Sequence, residues 1–276
     1  PFSPRDNKWL NTNMPFISAW NMTYFEYQDN GTVKYGATQP EFKEYLQLMI
    51  LDFLSSTPYM RKMAFIGGTN LRLIKGIDRF SEDLDFDCKE MDKEEFMQMT
   101  DEVLTFLHRS GLAAEAKDRE NPKLTAFRRN IHFPQLLFDL ELTGHRDERF
   151  LIKIEAQDQG ISYVPVIANV KGCGFFFPLP VPPDGVLCAM KLAALLSRGK
   201  GRDFYDAMFL LSRAAPDFDF LKARCGIGSS EELKTAVRKM LETTDLNVKK
   251  RDFEHLLFDR RNADRILRFG EFMESI

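Results

Sequence analysis

Cysteine is sparse. Cys88, Cys173, Cys188 and Cys225 are scattered over 276 residues, and no pair has Cys-x-x-Cys spacing. A metal knuckle and a redox dithiol are therefore unsupported, and free thiols in a reducing cytoplasm are the simplest account. No uninterrupted apolar run reaches ~18 residues, so no membrane-spanning helix is expected. Pro1-Phe2-Ser3-Pro4-Arg5-Asp6-Asn7 lacks the charged-then-apolar order of a secretory signal. Neither charge dominates: 38 Lys+Arg against 41 Asp+Glu give a net charge of −3, which argues against a polybasic nucleic-acid binder. The four histidines, His108, His132, His145 and His255, form no spaced cluster, so a zinc site or a Ser-His-Asp hydrolase lacks support. No internal repeat or low-complexity tract occurs. Phenylalanine, by contrast, is abundant: 25 residues, within a chain that is 44% hydrophobic and 29% charged. That is a globular composition with ample core material. At ~150 residues per domain the length suggests about two domains.

Residues 1–38 are polar and aromatic without clear period and read as an N-terminal extension, with Asn30-Gly31 as a turn signal. Over 40–55, Phe42, Tyr45, Leu46, Met49, Ile50 and Phe53 share one helical face. Met63-Ala64-Phe65-Ile66 reads as a buried strand stopped by Gly67-Gly68, and a helix from Thr69 to Lys75 ends at Gly76. Ser81 to Asp87 alternates with the period of a strand. Residues 93–110 form a helix with Phe96, Met99, Val103, Leu104 and Leu107 on one face. Strands are expected at 124–133, 136–142 and 150–156. Residues 171–185, with Pro178, Pro180, Pro182 and Pro183, read as a connection between lobes. From Val186 the pattern is helical: 186–198, 202–213, 231–242 and about 250–274. The expected division is 1–38, an α/β domain over 39–175, and a mostly helical domain over 176–276.

Chemistry concentrates in two places. Ser81, Asp83, Asp85 and Asp87 occupy every second position, so on a strand they share a face while Leu84 and Phe86 point the other way. Adjacent carboxylates ~4 Å apart repel by about 4 kcal/mol at an effective dielectric of 20. A bound cation reverses that sign, and Mg²⁺ takes carboxylate oxygens together with substrate phosphates. A solvated acidic edge strand is the bland alternative. Upstream, the order strand, Gly67-Gly68-Thr69, helix suits phosphate: the glycines permit close backbone approach, and the helix N-terminus offers free N–H groups. A tight turn with no ligand is the alternative there. Together the two features read economically as nucleotidyl transfer from an NTP.

Ile66-Gly67-Gly68-Thr69-Asn70-Leu71-Arg72, followed by Arg79-Phe80-Ser81-Glu82-Asp83-Leu84-Asp85-Phe86, closely resembles the AbiEii/AbiGii toxin family. These are nucleotidyltransferases of type IV toxin–antitoxin and abortive-infection systems in the DNA polymerase β-like superfamily. Gly68-Thr69 stands where the wider superfamily has Gly-Ser. A second block, Leu187 to Asp206, resembles the family's element through Lys191, Ala194, Leu195, Arg198, Arg202, Asp203, Tyr205 and Asp206. The resemblance spans about 60–212. It implies an α/β fold: a polymerase β-like lobe with a mixed β-sheet, followed by a mostly helical C-terminal lobe. It also implies that Asp83 and Asp85 ligate metal. The superfamily usually adds a third carboxylate from a later strand. Glu155, on the same side as Lys153 in Leu151-Ile152-Lys153-Ile154-Glu155, is favoured over Asp139 and Glu141.

On that resemblance Glu155 either ligates the metal or accepts the proton of the attacking hydroxyl. Lys191 and Arg198, seven apart on one helical face, are expected to meet the NTP phosphates; a cationic surface stripe is the alternative. Asp203 and Asp206 either orient them, assist catalysis or cap a helix. Gly67, Gly68, Thr69, Arg72 and Ser81 complete the expected nucleotide contacts, while for Arg79 structural pairing is at least as good a reading.

The activity implied is that of a Mg²⁺-dependent nucleotidyltransferase, with Mn²⁺ as alternative metal, in a bacterial cytoplasm. It would bind NTP between the lobes and release pyrophosphate. The favoured acceptor is a tRNA 3′ end; a separately encoded antitoxin need not touch the toxin, and no membrane partner is implied. A protein hydroxyl as acceptor, or a catalytically silent member that binds RNA or a partner, are the other readings. Residues 78–102 hold 3 Lys+Arg and 11 Asp+Glu, whereas 185–268 hold 17 and 12. The near-neutral total thus conceals an acidic segment at the expected metal site and a mildly basic helical region that suits an anionic acceptor.

Overall fold

Alternation builds the first sheet. In β4 (Asp83–Cys88), Leu84 and Phe86 are buried, and in β7 (Leu151–Gln157) Ile152, Ile154 and Ala156 are buried, while the residues between them are partly open. Each such Leu, Ile or Phe contributes about 1.5–3 kcal/mol by leaving water. In the computed structural model, which describes residues 27–29, 32–34, 39–118, 125–140 and 142–276, the sheet order is β3-β4-β7-β6-β5. Here β3 is Met63–Ile66, β5 Glu115–Ala116 and β6 Phe127–His132. The sheet is mixed: β4 and β7 run parallel, whereas β7–β6 and β6–β5 are antiparallel.

The chain divides into two units of interleaved segments. The first comprises Pro1–Met63, Glu82–Gln157 and Asn169–Leu179; the second comprises Ala64–Ser81, Asp158–Ala168 and Pro180–Ile276. In the first, the helix Gln39–Ser55 buries Phe42, Leu46, Ile50 and Leu54, and the Phe42 ring lies 5.9 Å from that of Phe150. The helix Lys93–Arg109 starts at Asp92, whose side chain accepts from the Glu95 N–H, and buries Phe96, Met99, Val103 and Leu107. In the second unit, the helices Asp184–Arg198, Gly201–Leu211, Phe218–Cys225 and Ser230–Leu241 enclose Leu187, Leu192, Leu195, Phe204, Leu210, Leu221 and Val237. Leu71 and Ile77 from the segment before β4 enter that same core.

Three expectations need correction. Residues 136–142 are not a strand: Leu136–Asp139 is a single helical turn, entered through Gln135 at φ 58°. Residues 171–185 are not a bare connection, since β8 (Val166–Gly172) and β9 (Phe175–Val181) pair there. Pro178 and Pro180, two apart, lack their N–H on one side of the strand only, which a two-stranded ladder tolerates. The last helix, expected over 250–274, is broken into Leu246–Arg251, 3₁₀ turns over Glu254–Leu256 and Arg260–Arg268, and Phe269–Glu274. Asp259 begins the second 3₁₀ segment by accepting from the Arg261 N–H. The expected extension over 1–38 lies mostly outside the described residues; within it β1 (Tyr27–Asp29) pairs antiparallel with β2 (Thr32–Lys34). Among the described residues no helix is long and apolar enough to cross a membrane.

Candidate functional site

The parallel register of β4 and β7 places Lys153 beside Asp83 and Glu155 beside Asp85. Paired residues share a sheet face, so Asp83, Asp85, Lys153 and Glu155 stand together, opposite Leu84, Ile152 and Ile154. On β6, Arg128 lies across from Glu155 and Asn130 from Lys153. Lys153 Nζ is 2.9 Å from Asp83 Oδ2 and 3.1 Å from Glu155 Oε1. Arg128 Nε donates to the same Glu155 oxygen at 2.6 Å. Burial disfavours the charged Lys153, but the hydrogen bond and charge of Asp83, then Glu155, more than offset it, so its pKa is raised. The ammonium therefore stays protonated in the neutral range.

Asp139 lies apart from this face, exposed at the end of its short helix. Glu141 falls outside the described residues. Asp87 is buried, with Lys89 3.8 Å away. Among the described residues no group of three or more His, Cys, Asp or Glu side chains is arranged as a metal site. The donors nevertheless suit a hard divalent cation: Asp83, Asp85 and Glu155 are oxygen ligands on one face. Two of them already converge on a single positive charge, that of Lys153.

The second unit holds the remaining predicted residues. Gly67 has φ 82°, a left-handed conformation that favours glycine. It opens the helix Gly67–Asn70, continued by a π turn, Leu71–Lys75, which ends at Gly76. Thr69 and Asn70 are fully buried, and Asn70 Nδ2 donates back to the Phe65 carbonyl at 2.7 Å, which ties the turn to its strand. A Cβ on Gly68 would stand 2.6 Å from Ser81 Oγ and 2.8 Å from Arg79 Nη2, so only glycine lets this backbone lie against that guanidinium. The Arg72 guanidinium lies 4.5 Å from the centroid of the Phe258 ring.

Arg79 is 1% exposed and Asp206 0%. Arg79 Nε and Nη2 each donate to Asp206 at 2.7 Å, and Lys191 Nζ donates to Asp206 Oδ2 at 2.9 Å. Burial alone would raise the Asp206 pKa, but the charges of Arg79 and Lys191 hold it well below the usual carboxylate range. The cluster thus carries two cations for one anion. Arg198 meets a separate buried carboxylate: its Nε and Nη2 donate to Asp203 at 2.8 and 2.7 Å, and Asp203 also accepts from the Lys200 N–H. The segment before β4 is fixed twice more. Asp78 accepts from Tyr205 Oη and from Asn262 Nδ2, both at 2.7 Å, and Arg79 bridges Leu257.

The residues that sequence reading did not assign are Arg128, Lys153, Asn70 and Asp78. Period-2 parity already puts Lys153 on the face of Glu155; Asn70 is identified by its local bond to Phe65, and Arg128 and Asp78 only by contacts distant in sequence. The sequence model described as the nucleotidyl transferase AbiEii toxin of type IV toxin–antitoxin systems matches residues 50–272. No curated protein matches. Among solved structures, a nucleotidyltransferase structure from H. pylori, titled as putative, superposes with TM-score 0.55 at 20% identity over 87% of this chain and 95% of that one. MenT4, a nucleotidyltransferase toxin from Mycobacterium tuberculosis, gives 0.51 at 18% identity over 86% and 84%. JHP933 from Helicobacter pylori gives 0.50 at 19% over 87% and 92%. These likenesses concern the fold.

Proposed function

Because the chain belongs to the AbiEii family of nucleotidyltransferase toxins of type IV toxin–antitoxin systems, we propose that it transfers a nucleotidyl group from an NTP to an RNA hydroxyl, with a tRNA 3′ end as acceptor, and that Mg²⁺ supports the reaction. The observation that carries this reading is the register that sets Glu155 beside Asp85 and Lys153 beside Asp83 on one sheet face. Asp83, Asp85 and Glu155 would hold the metal. Bound there, a divalent ion supplies charge neutralisation and lowers the pKa of a bound oxygen nucleophile.

The chain's own groups account for the rest. The acceptor oxygen bonds to the α-phosphorus, its proton passes to solvent, or to Glu155 where that carboxylate is not a metal ligand, and the bond to pyrophosphate breaks. The N–H groups at Gly67–Thr69 and the cations of Arg72, Lys191 and Arg198 take the phosphate charge as it moves to the leaving group. Ser81 offers a hydroxyl to the same phosphates. Asp206 is buried between the cations of Arg79 and Lys191, so it acts by holding Arg79 beneath Gly68 and by aiming Lys191. Asp203 does the same for Arg198. The cytoplasm, which supplies NTP and tRNA, is the compartment this reading requires. The antitoxin is encoded separately and acts without a required contact.

The test is transfer of label from each α-³²P NTP into total tRNA with Mg²⁺. Labelled tRNA with the wild type, and loss of at least about 100-fold on Asp85→Asn, is the expected result. No transfer to RNA from any of the four nucleotides would overturn the RNA reading, and label on protein instead would move the acceptor to a protein hydroxyl.

A further inference from the structure

Lys153 Nζ lies within hydrogen-bond distance of both Asp83 and Glu155, at 2.9 and 3.1 Å. Both are carboxylates to which metal binding is assigned above. Its own side chain is about a quarter exposed, as are theirs, so it has a route to solvent without disturbing the core on the other face. Resting on the metal reading, we infer that Lys153 is a resident counter-ion: it holds the positive charge between Asp83 and Glu155 in metal-free protein and must withdraw for a divalent cation to be bound.

Three observations support this. First, β4 and β7 would otherwise set Asp83, Asp85 and Glu155 side by side, and adjacent carboxylates repel. Lys153 offsets that term within the fold itself, with Arg128 assisting at Glu155. Second, an ammonium and a divalent cation within ~4 Å of each other repel, so the two cannot share these oxygens at low cost. Third, lysine is the side chain suited to such a task. Its charge is a compact point on a flexible stem, whereas a guanidinium is fixed in a fork. The arrangement makes metal binding an exchange of one cation for another. Metal affinity in the absence of NTP is lowered by whatever the lysine contributes.

The test uses the full chain and Mn²⁺ alone, titrated by the loss of its free-ion EPR signal, together with thermal melts in the absence and presence of Mg²⁺. Lys153→Met is expected to bind Mn²⁺ on the order of tenfold more tightly than wild type, equivalent to about 1.4 kcal/mol. Its metal-free melting temperature should fall and its stabilisation by Mg²⁺ should rise. Lys153→Arg, which keeps the charge but fixes it in a fork, should bind Mn²⁺ no more tightly than wild type, and Lys153→Gln replaces the Met variant if that one does not fold. A purely structural lysine would lower the melting temperature and leave Mn²⁺ affinity unchanged. Unchanged or weaker binding in Lys153→Met, with wild-type binding still abolished by Asp85→Asn, would overturn the counter-ion role and leave the metal reading standing. No Mn²⁺ binding in any variant, or binding indifferent to Asp85→Asn, would overturn both.

Discussion

Asp206 is fully buried between two cations. Its carboxylate, 0% exposed, balances Arg79 and Lys191, so removing the charge leaves two cations without their counter-charge. Asp206→Asn is expected to destabilise the protein by about 3–5 kcal/mol, measured by urea unfolding at neutral pH. A pH dependence follows. Because the folded pKa is depressed, the stabilisation is complete above the ordinary Asp value of about 3.9 and is lost as pH falls below it. The urea midpoint of the wild type should therefore drop more steeply below about pH 4 than that of Asp206→Asn. Equal acid slopes would show that another group governs the limb. Gly68→Ala tests the opposite face of Arg79. The added methyl must displace Ser81 or the buried guanidinium, at a cost of about 1–3 kcal/mol, and NTP binding should weaken with it.

Among the elements, β4 and β7 separate function from stability. Asp83→Asn and Asp85→Asn should abolish label transfer. Asp85→Asn should leave the metal-free melting temperature within the range of a surface change, about 0.5 kcal/mol either way. A large destabilisation there would mean that Asp85 is structural. These two strands were also the most legible part of the sequence. Strict alternation over Asp83–Cys88 and Leu151–Gln157 gives both the strand and its faces, and parity alone puts Lys153 with Glu155. Residues 136–142 were not legible, because four apolar residues in five (Leu136, Leu137, Phe138, Leu140) fit a buried strand and a helical turn alike. The union of Arg79 with Asp206 was beyond reading as well: their bond spans 127 residues. Leu187–Asp206 gave the identity of the pairing residues but not which cation each carboxylate holds. The structure matches Lys191 to Asp206 and Arg198 to Asp203.

For the molecule as a whole, charge is partitioned along the chain, with the acidic excess at 78–102 and the basic excess at 185–268. If an RNA acceptor uses the basic segment, its affinity must fall with salt. A plot of log Kd against log salt should be linear and rising, with a slope of about +0.7 per single-strand phosphate contacted. NTP affinity, set by short-range contacts, should respond less, and equal salt dependence of the two would argue against RNA contact through that surface.

The interleaving of the two units also bears on the order of events at the ribosome. Residues 64–81, which carry the glycine turn and Arg79, belong with a body whose largest segment begins at Pro180. Arg79 waits 127 residues for Asp206, and Asp78 waits 184 for Asn262. At about 5–20 residues per second, 127 residues take about 6–25 s to synthesise. Throughout that interval the turn has no fixed backing, and pairings this distant in sequence slow folding further. A truncated or stalled chain that ends before Asp206 therefore lacks the backing for its glycine turn. Ribosome-bound chains halted at 200 residues should remain sensitive to protease within 64–81, and full-length chains should not.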